Sequence, residues 1–286
     1  MKLSLKPAVI FLLSMLTLVA SSQADVLTEK IKSVEKKLGA RIGVAVYDTQ
    51  SKALWSYKGD TRFPLMSTFK TLACAKLLAD AESGIVDINS TTMIDADSLI
   101  TWSPVTEKRV GETMSLKQAC TATMVMSDNT AANIVLAGID GPSGLTKFMR
   151  AIGDDVTRLD RIEPYLGEAI DGDPRDSSTP NAMVASLNRL LFAGVLSTEG
   201  KVQLKQWMMD NKVSDALLRS VLPQGWSIAD RSGAGGYGSR GITAVVWSEQ
   251  RPALIISIYL TQTTASFAQR NDTIATIGKH IFTVYQ

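Results

Sequence analysis

A serine followed three residues later by a lysine, in Ser67-Thr68-Phe69-Lys70, is the stretch of this chain best suited to covalent chemistry. Positions i and i+3 share one face of a helix, so the Lys70 amine can reach the Ser67 hydroxyl. A free serine hydroxyl is a weak nucleophile at neutral pH and needs a neighbouring base. Histidine is the usual base, but the chain has a single one, His280, near its C-terminus. Serine chemistry here must therefore move its protons on lysine and carboxylate. Three further groups of residues carry suitable atoms. Ser127-Asp128-Asn129 lies between two helical segments, where a turn exposes its polar groups. Glu163-Pro164 sits in a long irregular stretch. Arg231-Ser232-Gly233-Ala234-Gly235 follows a short strand and joins a cation, a hydroxyl and glycines that let a backbone approach a ligand closely. Each has a plainer reading by itself: a solvated helix lysine, a helix cap, a hairpin turn. Their joint presence, in this order and in a chain without a usable histidine, is hard to attribute to chance.

The elements that must hold these groups follow from periodicity. Arg41 to Tyr47 and Leu54 to Tyr57 read as strands of a hairpin around Asp48 to Lys52. From Ser67 the pattern turns helical, with segments at Ser67–Glu82, Leu116–Met126, Thr130–Ile139, Gly144–Ile152, Asn181–Leu191 and Thr198–Asn211. Strands return near Ile228–Arg231, Ile242–Glu249 and Ala253–Leu260, and a last helix covers Ser266–Val284. Strands at both ends with helices between them predict an α+β fold of the α/β sandwich type. In it, an antiparallel sheet formed from both chain ends carries flanking helices and an inserted all-helical domain. The expected division is one catalytic unit over residues 25–286, with a sheet part at about 25–62 and 213–286 and a helical part at about 63–212. A cleft between the two parts is a preferred place for a small-molecule site. Arg158 to Pro180, with its prolines and many charges, resists regular assignment, and long loops in compact domains are often functional. Arg161 and Asp176 either pair to close it as an Ω-type loop or are unrelated surface charges.

Composition narrows the setting. Lys2 and Lys6, the mostly apolar run Ala8 to Ala20 and the small residues around Ser22-Gln23-Ala24 form the pattern of a secretory leader, expected to be cleaved after Ala24. The run is short for a membrane span, which needs about 20 residues, so the mature protein is expected to carry no membrane anchor. Its charge is close to balanced, because the leader contains two lysines and no acids. The absence of a basic block gives nucleic-acid binding little support. Cys74 and Cys120, an even pair in an exported chain, read as a disulfide between two helices, with two buried free thiols as the alternative. One histidine and two distant cysteines offer no zinc spacing, so neither a metal nor another cofactor is expected. A monomer is the default expectation.

Ser67 to Lys70, Ser127 to Asn129 and Arg231 to Gly233 resemble, in this order, the three motifs of class A serine β-lactamases and penicillin-binding proteins. Glu163 in Arg161-Ile162-Glu163-Pro164-Tyr165-Leu166 is similar to the class A Ω-loop glutamate, and the resemblance covers essentially the whole mature chain. It implies that Ser67 is acylated by a β-lactam, that Lys70 and Glu163 share base duty, and that Ser127 protonates the leaving nitrogen. Glu163 would then activate the water that hydrolyses the acyl-enzyme. The backbone N–H groups of Ser67 and Ala234 would form an oxyanion hole, at about 3–4 kcal/mol per donor. Asn129 would hold the substrate's side-chain amide, and Trp102 would form an aromatic wall. Ser232, with Gly233, Arg231 and Arg240, would bind the substrate carboxylate through charge-assisted hydrogen bonds. The family also has a disulfide where Cys74 and Cys120 fall. The implied setting is the periplasm, and the implied partners are small β-lactam molecules.

Two positions depart from the commoner pattern. Arg231 stands where the third motif usually has lysine, which resembles the carbenicillin-hydrolysing branch of class A and implies turnover of penicillins bearing an extra carboxylate. Gly167 stands where many class A enzymes have an asparagine that holds the deacylating water. Its expected consequences are a roomier pocket beside the loop and slower deacylation, unless another group compensates. A penicillin-binding D,D-peptidase, a β-lactam sensor domain and a serine-type glutaminase share parts of this machinery. Glu163 in a long loop and the missing anchor argue against the first two, and the remaining motifs fit the glutaminase poorly.

Overall fold

The computed structural model describes residues 25–286, so the expected leader lies outside the described residues. The first element, helix α1 (residues 25–38), is one that the strand and helix assignments above do not include. Its signal was present: Leu27, Ile31, Val34 and Leu38 recur at helical spacing and pack on one core. Strands β1 (Arg41–Asp48) and β2 (Leu54–Tyr57) then form the expected hairpin. The chain continues through β3 (Phe63–Pro64), a 3-10 turn at Met66–Thr68 and helix α2 (Phe69–Glu82). A small hairpin of β4 (Thr91–Met93) and β5 (Thr113–Ser115) leads into α3 (Leu116–Met126), α4 (Asn129–Ala137) and α5 (Gly141–Ala151). After the long loop come β6 (Ser177–Ser178), α6 (Pro180–Phe192) and α7 (Thr198–Met209). Strands β7 (Ser227–Ala234), β8 (Arg240–Trp247) and β9 (Leu254–Thr261) and helix α8 (Phe267–Tyr285) complete the fold.

The main sheet has five strands in the order β2-β1-β9-β8-β7, all paired antiparallel, so residues from both chain ends meet at its centre. Side chains alternate between its two faces. Ile42, Val44 and Val46 of β1 and Leu254, Ile256, Ile258 and Leu260 of β9 join the core beneath α1 and α8. Ala45, Ile255 and Tyr259 face the other way, into the core shared with α2, α3 and α6. Helix α2 packs against α3, α4, α5 and α7 and is buried without a break from Phe69 to Leu78. This α+β architecture agrees with the expected fold class.

Two boundaries differ in ways that matter for the site. The helix expected from Ser67 starts as a 3-10 turn, and its α-helical part begins at Phe69. Strand β7, expected to end at Arg231, continues to Ala234, so the glycine-containing motif lies on a strand and is not a turn. Glycine permits this because the strand runs against the Ser67 backbone: a Cβ on Gly233 would sit 2.7 Å from Ser67 N.

Candidate active site

Ser67 follows Met66, whose φ of +49° places a side-chain-bearing residue in the sparsely populated left-handed region. The surrounding contacts hold that conformation. The Thr68 hydroxyl donates to Leu65 O at 2.6 Å and shares a 2.8 Å hydrogen bond with the Tyr259 hydroxyl. Ser67 thereby lines a cleft of about 520 Å³ together with Trp102, Ser127, Asn129, Ser232, Ala234 and Arg240. That volume suits a small organic ligand.

Lys70 lies one helical turn deeper and is completely buried. Its ammonium donates to Asn129 Oδ1 at 2.6 Å, to Ser127 O at 2.9 Å and to Ser127 Oγ at 3.2 Å. Ser127 Oγ in turn donates to Ser67 Oγ at 3.2 Å. Lys70 thus connects to the serine through Ser127, whereas helical spacing alone suggested a direct contact. Ser127 can stand there because it ends α3 in a left-handed conformation, with φ at +61°. Asp128 next to it caps α4 by accepting from Ala131 N, and it also binds Val105 N, Thr106 N and the Thr106 hydroxyl. The cap expected of this motif is supplied by Asp128, while Ser127 and Asn129 on either side of it line the cleft.

Glu163 approaches from the long loop, across a cis peptide to Pro164. Its backbone is fixed on α4 by two hydrogen bonds with the Asn133 side chain, at 3.0 and 2.9 Å. Its carboxylate oxygen lies 3.8 Å from Lys70 Nζ, an ion pair longer than a hydrogen bond. Burial pushes the Lys70 amine down to about 7, against the opposing attraction of Glu163. Burial likewise raises the Glu163 carboxyl above 4.5, although Lys70 and Arg231 pull it the other way. A base and an acid of altered strength therefore face each other beside Ser67, the condition that proton-transfer catalysis requires.

The loop bearing Glu163 closes on itself. Arg161 Nε donates to Asp176 Oδ2 at 2.6 Å, and Asp176 Oδ1 accepts from the backbone N–H groups of Asp160 and Arg161. Arg161 also meets Glu168 at 2.5 Å. Gly167 ends a 3-10 turn at Tyr165–Gly167, and a Cβ built on it meets nothing within 4 Å. Its carbonyl accepts from Gly236 N at 2.9 Å, which binds the loop to the end of β7.

The third motif divides between the cleft and the interior. Ser232, Gly233 and Ala234 line the cleft. Arg231 does not: its side chain is completely buried, with Nε donating to Ser67 O at 3.2 Å and Nη1 to Asn211 Oδ1 at 3.3 Å. The resemblance implies a guanidinium beside the substrate; strand alternation directs it behind Ser67 instead. Burial lowers it to about 10, still protonated at neutral pH, so its charge is felt there without contact. Arg240, from β8, does reach the cleft and is held by Asn271 Oδ1 and Gly233 O, each at 2.9 Å. Trp102 is 58 % exposed, and its indole N–H donates to Met126 O at 3.0 Å, so the ring stands as a wall.

Several residues were missed from sequence. Asn133 orients Glu163, Asn271 orients Arg240, and Phe267, half exposed, walls the cleft with Arg240 4.8 Å from its ring centre. Single asparagines and a phenylalanine at a helix start carry no local signature, because only the tertiary fold brings them to the site. Cys74 and Cys120 are bonded, joining α2 to α3. Among the described residues, no cluster of His, Cys, Asp and Glu is suited to a metal ion, and no helix is long and apolar enough to cross a membrane.

Known proteins resemble the chain throughout its described length. The family described as the Beta-lactamase enzyme family matches residues 26–285. Beta-lactamase CARB-3 of Pseudomonas aeruginosa is 57% identical over 266 residues, 93% of this chain and 92% of that protein. Beta-lactamase AER-1 of Aeromonas hydrophila is 47% identical over 253 residues, 88% of this chain and 83% of that protein. Among solved structures, the chromosome-encoded beta-lactamase of Vibrio parahaemolyticus superposes with a TM-score of 0.90 at 55% identity, covering 91% of this chain and 99% of that one. An ancestral class A beta-lactamase (GNCA) superposes with a TM-score of 0.88 at 42% identity, covering 90% and 99%. A match of this extent, on a fold that brings residues of all three motifs to one cleft with Glu163 3.8 Å from buried Lys70 behind it, means that the chain belongs to the class A serine β-lactamases.

Proposed function

We propose that this β-lactamase opens the lactam amide of penicillins, carbenicillin included, through an acyl-enzyme on Ser67 that a Glu163-activated water then hydrolyses. The observation that carries the reading is the continuous path from Ser67 Oγ through Ser127 Oγ to Lys70, with Glu163 3.8 Å beyond. Ser67 Oγ attacks the carbonyl carbon as its proton passes toward the Lys70 and Glu163 pair, and the Ser67 and Ala234 N–H groups receive the developing oxyanion. The carbon–nitrogen bond breaks, and the nitrogen takes a proton from Ser127, which Lys70 resupplies. Glu163 next deprotonates a water that attacks the ester carbonyl, and Ser67 leaves with a proton restored. Asn129 and Trp102 flank the substrate's side chain, while Ser232 and Arg240 hold its carboxylate within the field of buried Arg231.

Sustained hydrolysis of a chromogenic penicillin by the purified protein is the first expected result. A single stoichiometric burst would instead favour a penicillin-binding peptidase or a sensor. Glu163→Ala should acylate at near wild-type rate and accumulate as an acyl-enzyme in mass spectra; failure to acylate would move Glu163 to the first step. The carbenicillin reading is supported by Arg231 and by overall similarity. It expects a kcat/KM for carbenicillin comparable to that for benzylpenicillin, and a ratio far below one would sink it. Export by removal of residues 1–24, action as a periplasmic monomer and a role in β-lactam resistance belong to the same proposal.

A further inference from the structure

Behind the cleft, between α7 and β7, lies a buried polar cluster that the reaction as described does not use. Its centre is Asn211, 3% exposed, whose neighbour Lys212 is fixed to α3 by a backbone hydrogen bond to Val125 O at 3.0 Å. Asn211 Oδ1 accepts from Arg231 Nη1 at 3.3 Å and from Val213 N at 3.1 Å. Asn211 Nδ2 donates to Asp230 Oδ1 at 2.6 Å and to Ser214 Oγ at 2.5 Å. Ser214 Oγ donates onward to Ser232 Oγ at 3.0 Å. The partners leave no freedom to turn the amide over, since a guanidinium and a backbone N–H need an acceptor and a carboxylate needs a donor. One side chain thus fixes the cation behind Ser67 and, through Ser214, the hydroxyl that faces the substrate carboxylate.

We infer that Asn211 is a positioning residue for the carboxylate-binding end of this active site, acting through Ser232 and Arg231. The residue must both donate and accept, which a leucine or alanine cannot do and an ionised aspartate can only half do. The charged groups facing it are Asp230 and Arg231 of β7 and Arg219 of the 3-10 turn at Leu218–Val221, which binds Asp230 at 2.9 Å. Lys212 is exposed to solvent.

The inference rests on reading Ser232 as a substrate-carboxylate group, and a double-mutant cycle separates the two. Asn211→Ala should lower kcat/KM for benzylpenicillin at least tenfold while kcat falls less than threefold. In a Ser232→Ala background, the same substitution should cost clearly less, no more than about threefold further, because the path through Ser232 is already cut and only the contact to Arg231 remains. Equal losses in both backgrounds would overturn the positioning role. If Ser232→Ala itself leaves kcat/KM unchanged, the reading of Ser232 fails instead. Asn211→Asp guards against a mere folding defect, since it keeps the shape. The new carboxyl would stand where the Asn211 amide nitrogen now lies, 2.6 Å from Asp230 Oδ1, and two carboxyl groups that close share a proton. The protonated aspartate can still accept from Arg231 and Val213 and donate to Asp230, but it has no second proton for Ser214, so kcat/KM should come nearest to wild type at low pH and fall relative to wild type as pH rises. A ratio to wild type that does not change with pH would count against the inference.

Discussion

At 3.8 Å the Lys70 ammonium and the Glu163 carboxylate attract one another, by about 4 kcal/mol at an effective dielectric of about 20. Removing each ion from water costs several kcal/mol, so burial outweighs the attraction and both groups shift toward their neutral forms. For Lys70 this means a free amine populated near pH 7, able to accept a proton. For Glu163 it means a carboxyl that holds its proton to higher pH than an ordinary glutamate. In the proposed mechanism deacylation needs the carboxylate, so its rate should fall as pH drops through a midpoint above 4.5. The check is the decay of preformed penicilloyl-enzyme as a function of pH. A midpoint at or below 4.5 would show that Lys70 and Arg231 outweigh burial. Arg231 follows the same logic: a lysine amine buried there would lose its proton more readily, whereas a guanidinium stays charged.

Secondary-structure elements meet at this site with very little clearance, as where β7 passes the 3-10 turn bearing Ser67. A methyl group on Gly233 would stand 2.7 Å from both Met66 Cβ and Ser67 N, and neither is the end of a flexible side chain. Gly233→Ala should therefore displace the strand or the turn, at about 1–3 kcal/mol of stability. Acylation should slow more than tenfold, because both proposed oxyanion donors, the Ser67 and Ala234 N–H groups, sit on the displaced segments. Stopped-flow acylation and a denaturant midpoint measure the two effects, and a variant acylating at wild-type rate would contradict the argument. This contact also marks how far the sequence could be read. Period-two alternation placed the strands and period 3.6 most helices, because each buries a face. The end of β7 escaped because Gly233 and Ala234 offer no apolar alternation. Helix α1 escaped because it directly follows the expected leader. Of the site, Ser67, Lys70, Ser127 and Glu163 stand in short motifs, while Asn133, Asn211 and Asn271 come into place through contacts 30, 19 and 31 residues away in sequence.

For the molecule as a whole, the sheet is closed by strands from opposite ends of the chain, so the central β1–β9 pairing forms only when both ends are present. The cleft lies beside that sheet and draws Ser67 and Lys70 from the α2 region, Ser127 from the end of α3 and Ser232 from β7. Cys74 and Cys120 bridge the first two of these groups, 46 residues apart in sequence, and both are fully buried in the core beneath the sheet. The bridge could act in two ways: by holding Ser127 against Ser67 in the folded protein, or by restricting the unfolded chain. Packing favours the second, because Leu72, Ala75, Ala119 and Met124 already press α2 and α3 into one core without it. A loop of this length should contribute about 2–4 kcal/mol by limiting the unfolded ensemble. Replacing both cysteines by alanine should thus lower the urea midpoint by the corresponding amount and leave kcat and KM within about twofold of wild type in the absence of denaturant. If catalysis fell tenfold while the fold persisted, the bridge would instead be setting the Ser127 to Ser67 distance in the native state.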